Sequence, residues 1–137
     1  MKFVIDTNRL MAAILKDSTT RKIIYSKNLN FITPEDALKE ILKYKLYISK
    51  KTELKIDEVE TLFSQIMSYV ETIPKTEIKP YMKKADEIMK SIDLDDSVFI
   101  ATAMAIKSDG IFSHDGHFEK QSKIKIWKTK DLVDSCL

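Results

Sequence analysis

The acidic side chains are the residues of this sequence best placed to do chemistry. Asp6 closes the apolar run Phe3-Val4-Ile5, and Asp115 stands just beyond Ile111-Phe112-Ser113. Asp93, Asp95 and Asp96 fall within four positions ahead of an apolar stretch, and Glu40 lies among the core-spaced Ala37, Ile41 and Tyr44. Each has a plainer use. Asp6 suits a helix cap equally well, and Asp115-Gly116 is a frequent turn pair. Acids ahead of a helix complement its dipole, although three exceed what a cap requires. Most helix glutamates simply face water. Gathered in one place, however, several carboxylates repel and raise one another's pKa. A hard divalent cation relieves that repulsion. Mg²⁺ takes oxygen ligands and keeps several waters, and Mn²⁺ suits the same donors. Such a centre polarises a phosphodiester and activates water near neutral pH.

Other chemistries lack their residues. There is no Ser-His-Asp pattern, no Walker loop and no G-x-G-x-x-G. Two glycines, Gly110 and Gly116, cannot build a Gly-rich phosphate cradle, and the single Cys136 forms neither an internal disulfide nor a cysteine-based zinc site. A phosphoacceptor domain would want adjacent acids after the first strand, and a haloacid-dehalogenase-type phosphatase a second aspartate two positions on; Thr7 and Asn8 follow Asp6 instead. His114 and His117 have a spacing that suits a metal, but without cysteines no zinc site is expected; substrate contacts or plain surface residues are the alternatives. With 23 basic and 21 acidic residues the net charge is only +2, so any nucleic-acid binding must come from a local set of lysines. Lys39, Lys43, Lys45, Lys83 and Lys84 are candidates, although a solvated helix face is the plainer reading for most of them.

The acids need elements to hold them. Lys2–Ile5 has the signature of a buried strand, followed by a helix through Leu10, Met11, Ile14 and Leu15. Thr19/Thr20 suit the start of a second helix, and Asn30–Thr33 a second strand. Thr33-Pro34-Glu35 opens a helix whose apolar spacing continues through Ile41, Leu42, Leu46 and Ile48. Amphipathic helices are expected over Lys55–Val70 and over Lys79–Ser91, the latter with Pro80 at its opening, and a short strand over Val70–Pro74. Asp96–Ile106 is apolar nearly all round and so calls for burial on most sides. Strands at Gly110–Ser113 and Ile124–Trp127 and a helix over Thr129–Leu137 close the chain. Alternating strands and helices imply a three-layer α/β/α sandwich around a mostly parallel sheet, in a single domain over residues 1–137. In open parallel sheets ligands bind at the carboxyl ends of strands, where Asp6 and Asp115 would lie.

Met1-Lys2 precede an apolar run of only three residues, too short for a signal peptide, and the longest apolar stretch, Val98 to Ile106, is nine residues. A membrane span needs about 20, so a cytoplasmic protein with no membrane contact is expected.

Three segments resemble the PIN-domain family: Phe3-Val4-Ile5-Asp6-Thr7-Asn8, Asp96-Ser97-Val98-Phe99-Ile100-Ala101-Thr102-Ala103-Met104-Ala105, and Ile111-Phe112-Ser113-His114-Asp115-Gly116-His117-Phe118. Their order, with a helical glutamate between, covers nearly the whole chain. Arg9-Leu10-Met11-Ala12-Ala13 and Asp17-Ser18-Thr19-Thr20-Arg21 look more like a prokaryotic subgroup than like the best-known VapC toxins. The resemblance implies a Mg²⁺- or Mn²⁺-dependent ribonuclease. It assigns Asp6, Glu40, Asp96 and Asp115 to an acidic quartet that binds metal, with Glu35 competing for Glu40's place. Asn8 and Ser113 match accessory polar positions, and Asp93 a further acid three residues before Asp96. Many relatives are toxins of VapBC-type pairs, which implies an RNA substrate, a small antitoxin partner and a homodimer. A non-catalytic RNA- or protein-binding module of the same fold is the alternative.

Overall fold

The computed structural model describes residues 1–15 and 18–136. Part of the segment 17–21, and Leu137 at the end of the expected last helix, lie outside the described residues. Five parallel strands form one sheet in the order β3-β2-β1-β4-β5: β1 (Lys2–Ile5), β2 (Asn30–Pro34), β3 (Val70–Ile73), β4 (Ile111–Phe112) and β5 (Ile126–Trp127). The three-layer α/β/α architecture expected from the alternation is the one observed.

β1 is the central strand, and its side chains alternate between the two faces. Phe3 and Ile5 enter one core with Leu10, Ile14, Phe31 and Ile66. Val4 enters the other with Ile32, Ala85, Ile100 and Ile111. All three are fully buried, and each contributes about 1.5–3 kcal/mol by leaving water. The first core is covered by α1 (Thr7–Leu15), α2 (Ser18–Ile24), α4 (Lys45–Thr52), α5 (Ile56–Met67) and α9 (Thr129–Cys136). The second lies under α6 (Lys75–Met89) and α7 (Ser97–Ala105). α3 (Glu35–Leu42) contributes Ala37 to one core and Ile41 to the other.

The chain runs outward from β1 to β2 and β3, then returns through α6 and α7 to lay β4 on the other side of β1. The strand order therefore reverses between β1 and β4. At such a reversal the neighbouring loops diverge and leave a crevice beyond the carboxyl ends of the strands. Thr33 Oγ1 donates to the Ile5 carbonyl (3.0 Å) and fixes the end of β1 at that place.

Three expectations from spacing differ in detail. The helix opened by Pro34 does not run on to Ile48 but breaks at Lys43–Tyr44 into α3 and α4. Ile41 and Ile48 are buried, whereas Leu42, Tyr44, Leu46 and Tyr47 are exposed. Tyr44 is thus not a core position. α6 begins at Lys75, and Pro80 lies inside it. Pro74 already has the fixed φ of a helix entrance (−74°), and Glu35 Oε1 accepts the Lys75 N–H at 3.3 Å. Burial of Ile78, Ala85 and Met89 offsets the hydrogen bond that Pro80 cannot donate. A short helix, α8 (Gly116–Glu119), occupies the stretch where a turn was the plainer reading.

Gly110 enters β4 with φ +144°, a conformation that L side chains rarely adopt. A Cβ there would lie 2.6 Å from the Trp127 ring and closer still to the Lys125 carbonyl oxygen. Gly110→Ala is expected to cost at least about 2 kcal/mol. Urea unfolding checks this, and an unchanged midpoint would show that β4 tolerates a side chain there.

Candidate functional site

Asp6 is the first residue past β1 and is only 4% exposed. Its Oδ1 accepts the Arg9 N–H at 2.8 Å and so caps α1. Its Oδ2 accepts the hydroxyl of Ser113, which lies just beyond β4 and is fully buried. Cap and site residue are one geometry here. Burial pushes the Asp6 carboxyl up to about 6; the Ser113 and Arg9 hydrogen bonds oppose the rise, and the charge of Asp115 adds to it.

Ser113 ties two acids together. Its Oγ accepts the Asp115 N–H at 2.9 Å while its hydroxyl serves Asp6. Asp115 in turn caps α8, accepting the His117 N–H at 2.9 Å. Asp93 accepts the Asp95 N–H (3.0 Å) and caps the single 3₁₀ turn Leu94–Asp96. Asp96 occupies the N-cap position of α7 without a capping side-chain bond, which leaves its carboxylate for the site. Burial raises the Asp96 pKa first, and Asp115 and Asp93 raise it further against the pull of His117.

These acids share a pocket of about 330 Å³ lined by Asp6, Thr7, Asn8, Glu40, Asp95, Asp96, Phe99, Asp115 and Phe118. All four members of the expected quartet face this pocket. Ser113 lies behind it, and Asp93 reaches it through His117. Glu40 is exposed at the mouth, and Glu35 is engaged at the start of α6. Phe99 and Phe118 meet edge-to-face, with ring centroids 6.1 Å apart, beneath the acids. A larger crevice of about 610 Å³ opens at the amino ends of β1, β2 and β3, but Glu71 is its only lining carboxylate.

His117, for which substrate contact and plain surface were the alternatives, sits among the acids. Its Nδ1 is 3.3 Å from carboxylate oxygens of Asp93 and Asp96 and 3.6 Å from Asp115. Asp93, Asp96 and His117 each present a ligand atom, all within 4.8 Å of one another; the other quartet members lie outside that trio. His114 diverges from it. Its Nε2 accepts the Thr129 N–H at 3.1 Å and lies 2.9 Å from Thr129 Oγ1, at the start of α9. The two histidines thus form no shared site. The signal for His117 lay in its place two residues after a capping aspartate, which turns it back toward the acids.

The donor set fits a hard divalent ion. Oxygen donors dominate, and two carboxyls have pKa values raised by burial. Thr7 Oγ1, a buried polar atom on the pocket wall, has no hydrogen-bond partner. A cation with its bound waters would satisfy all three. Among the described residues, no helix is long and apolar enough to cross a membrane.

Comparison with known proteins agrees with this geometry. A family model described as a PIN domain matches residues 4–134, and the chain belongs to that family. No curated protein matches the chain significantly. Among solved structures, it is similar to VapBC2 from Rickettsia felis, crystallised bound to a DNA fragment from their promoter. The TM-score is 0.70 at 19% identity, covering 93% of this chain and 98% of that one. It is also similar to a toxin–antitoxin complex from Klebsiella pneumoniae, with a TM-score of 0.54 at 15% identity, covering 82% and 86%. At these identities the likeness establishes the fold.

The Asp6 carboxyl has a definite consequence for stability. Folding raises its pKa from 3.8 to about 6, so between those pH values the folded chain holds a proton that the unfolded chain has released. Stability therefore falls as pH rises through that window and stays lower above it, by roughly 3 kcal/mol from this group. Asp6→Asn keeps the shape and removes the charge. In metal-free urea titrations the variant should gain on the wild type by about that amount between pH 4 and 7, and Mn²⁺ should narrow the gap. Parallel pH profiles would show that Asp6 is solvated.

Proposed function

We propose that this PIN-domain chain is a divalent-metal-dependent endoribonuclease, hydrolysing RNA phosphodiesters to leave a 5′-phosphate. The observation that carries the reading is the convergence of Asp6, Glu40, Asp96 and Asp115 on one pocket where the strand order reverses. Metal-assisted phosphodiester hydrolysis needs such an all-carboxylate cradle, open on one side to the substrate.

Asp6, Asp96 and Asp115 would hold a Mg²⁺ or Mn²⁺, which would supply Lewis acidity and a water activated near neutral pH. The chain does the rest. Ser113 and the Arg9 N–H fix the rotamer of Asp6, and Ser113 also sets the backbone of Asp115. Asn8 offers a neutral amide beside the acids. Glu40, at the exposed mouth, orients the attacking water and takes its proton. Water attacks phosphorus, and the 3′ oxygen departs and takes up a proton from solvent as a 3′-hydroxyl, so the 2′-hydroxyl is not the nucleophile. Phe99 and Phe118 close the floor against bulk water.

The fold shared with toxin–antitoxin complexes supports a toxin of the VapBC type restrained by a small antitoxin; its action in the cytoplasm as a homodimer is part of the proposal. The phosphoacceptor and haloacid-dehalogenase-type readings lack their second acid, since Thr7 and Asn8 follow Asp6, and the pocket's acids would repel an RNA unless a cation were present.

Purified protein incubated with structured RNA and Mg²⁺ or Mn²⁺ should cut it, and chelation should stop cleavage that Mn²⁺ then restores. Asp96→Asn should lower the rate at least about 100-fold, as removal of a key electrostatic group does. The new ends should carry 5′-phosphate. Equal cleavage by both proteins would overturn the site, and no cleavage by either would leave a binding module.

A further inference from the structure

The short helix α8 turns an imidazole in among the acids. Asp115 accepts the His117 N–H at 2.9 Å, and that bond returns the ring toward the start of α7. Nδ1 then stands 3.3 Å from Oδ2 of Asp93, 3.3 Å from Oδ2 of Asp96 and 3.6 Å from Oδ1 of Asp115. Among the described residues, Asp93, Asp96 and His117 are the one set of three whose ligand atoms all lie within 4.8 Å of one another.

These spacings suit an ion better than they suit hydrogen bonds. Nδ1 carries at most one proton, so it can donate to one of the three carboxylates. A charge-assisted hydrogen bond would draw that partner to roughly 2.7–2.9 Å, and none stands so close. A first-row divalent ion lies about 2.0–2.2 Å from imidazole nitrogen and carboxylate oxygen, which sets two of its ligand atoms roughly 3.0–3.5 Å apart. The 3.3 Å separations fall in that range. His117 and Asp93 keep 44% and 33% of their side-chain surface exposed, which leaves room for waters to complete the coordination.

We propose that His117, through Nδ1, is a direct metal ligand that with Asp93 and Asp96 holds a borderline divalent ion, of the Fe²⁺, Co²⁺ or Zn²⁺ class, in preference to Mg²⁺. Imidazole nitrogen suits such ions, whereas Mg²⁺ takes oxygen. Zinc needs no cysteine where histidine and carboxylates are at hand. Ligation through Nδ1 puts the ring proton on Nε2. The assignment rests on the reading of the pocket as a metal centre and adds a nitrogen donor that the carboxylate quartet lacks. The competing role for His117 is that of a protonated counter-ion to the three acids. Its removal would then tighten metal binding, where loss of a ligand weakens it.

The test measures metal binding to the metal-stripped chain, without RNA. Calorimetry with Co²⁺ or Zn²⁺ should find a site that His117→Gln and Asp93→Asn each weaken at least about 10-fold, while Mg²⁺ binding changes little in His117→Gln. The visible Co²⁺ spectrum should differ between wild type and His117→Gln. In imidazole nitrogen NMR of the wild type, Zn²⁺ should move the Nδ1 resonance of His117 and leave His114 in place, a readout that needs no variant to fold. Co²⁺ affinity that is equal or higher in His117→Gln would overturn the assignment, as would an unmoved Nδ1 resonance or a wild type that binds Mg²⁺ as tightly as Zn²⁺. The nuclease reading fails separately, by the absence of RNA cleavage, and these binding outcomes do not depend on it.

Discussion

A carboxylate kept out of water at the end of the central strand is the constraint around which this structure is arranged. Asp6 is almost fully buried, and burial favours its neutral form. Two hydrogen bonds, from Ser113 and from the Arg9 N–H, counter that preference without cancelling it. The fold holds the carboxylate there by immobilising everything near it. Thr33 clamps the end of β1, β4 brings Ser113 alongside, and the two cores press on both faces of the sheet. The pocket is consequently strained electrostatically by the topology, and the charge of Arg9 offsets only part of that strain.

The helix caps and the site are made by the same acids, for a geometric reason. In a parallel sheet with helices on both faces, each helix starts where a strand ends. Acids that cap those helices therefore gather on one edge of the sheet. Asp6 caps α1 and Asp115 caps α8 while both face the shared pocket. Asp93 caps the 3₁₀ turn, which frees Asp96, one residue before α7, from that duty. For Asp6 and Asp115 the capping position and the pocket position are the same place.

Much of this was legible in the residues because strong local patterns carried it. Phe3-Val4-Ile5 marked the central strand, and the apolar run after Asp96 marked the buried α7, since both are surrounded on nearly all sides. The acids converged because their places at strand ends are set by chain order. Helix boundaries were less legible. Apolar spacing continues from Ile41 to Ile48 across the break at Lys43–Tyr44, where the backbone of Tyr44 (φ −98°, ψ 13°) leaves helical geometry. Pro80 signalled a helix start that tertiary packing of Ile78 overrode. His117 was a candidate by spacing with His114, but its place among the acids was not legible, because its Nδ1 contacts depend on α8, a four-residue helix too short to leave a periodic pattern.

The bond between Ser113 and Asp6 joins residues 107 positions apart. β1 is made first but remains half-paired until β4 arrives, because its second neighbour lies more than a hundred residues downstream. A chain arrested during synthesis before Ser113 has neither the hydroxyl that steadies Asp6 nor the carboxylate of Asp115. The pocket is therefore assembled only after β4 and the residues just beyond it have been made.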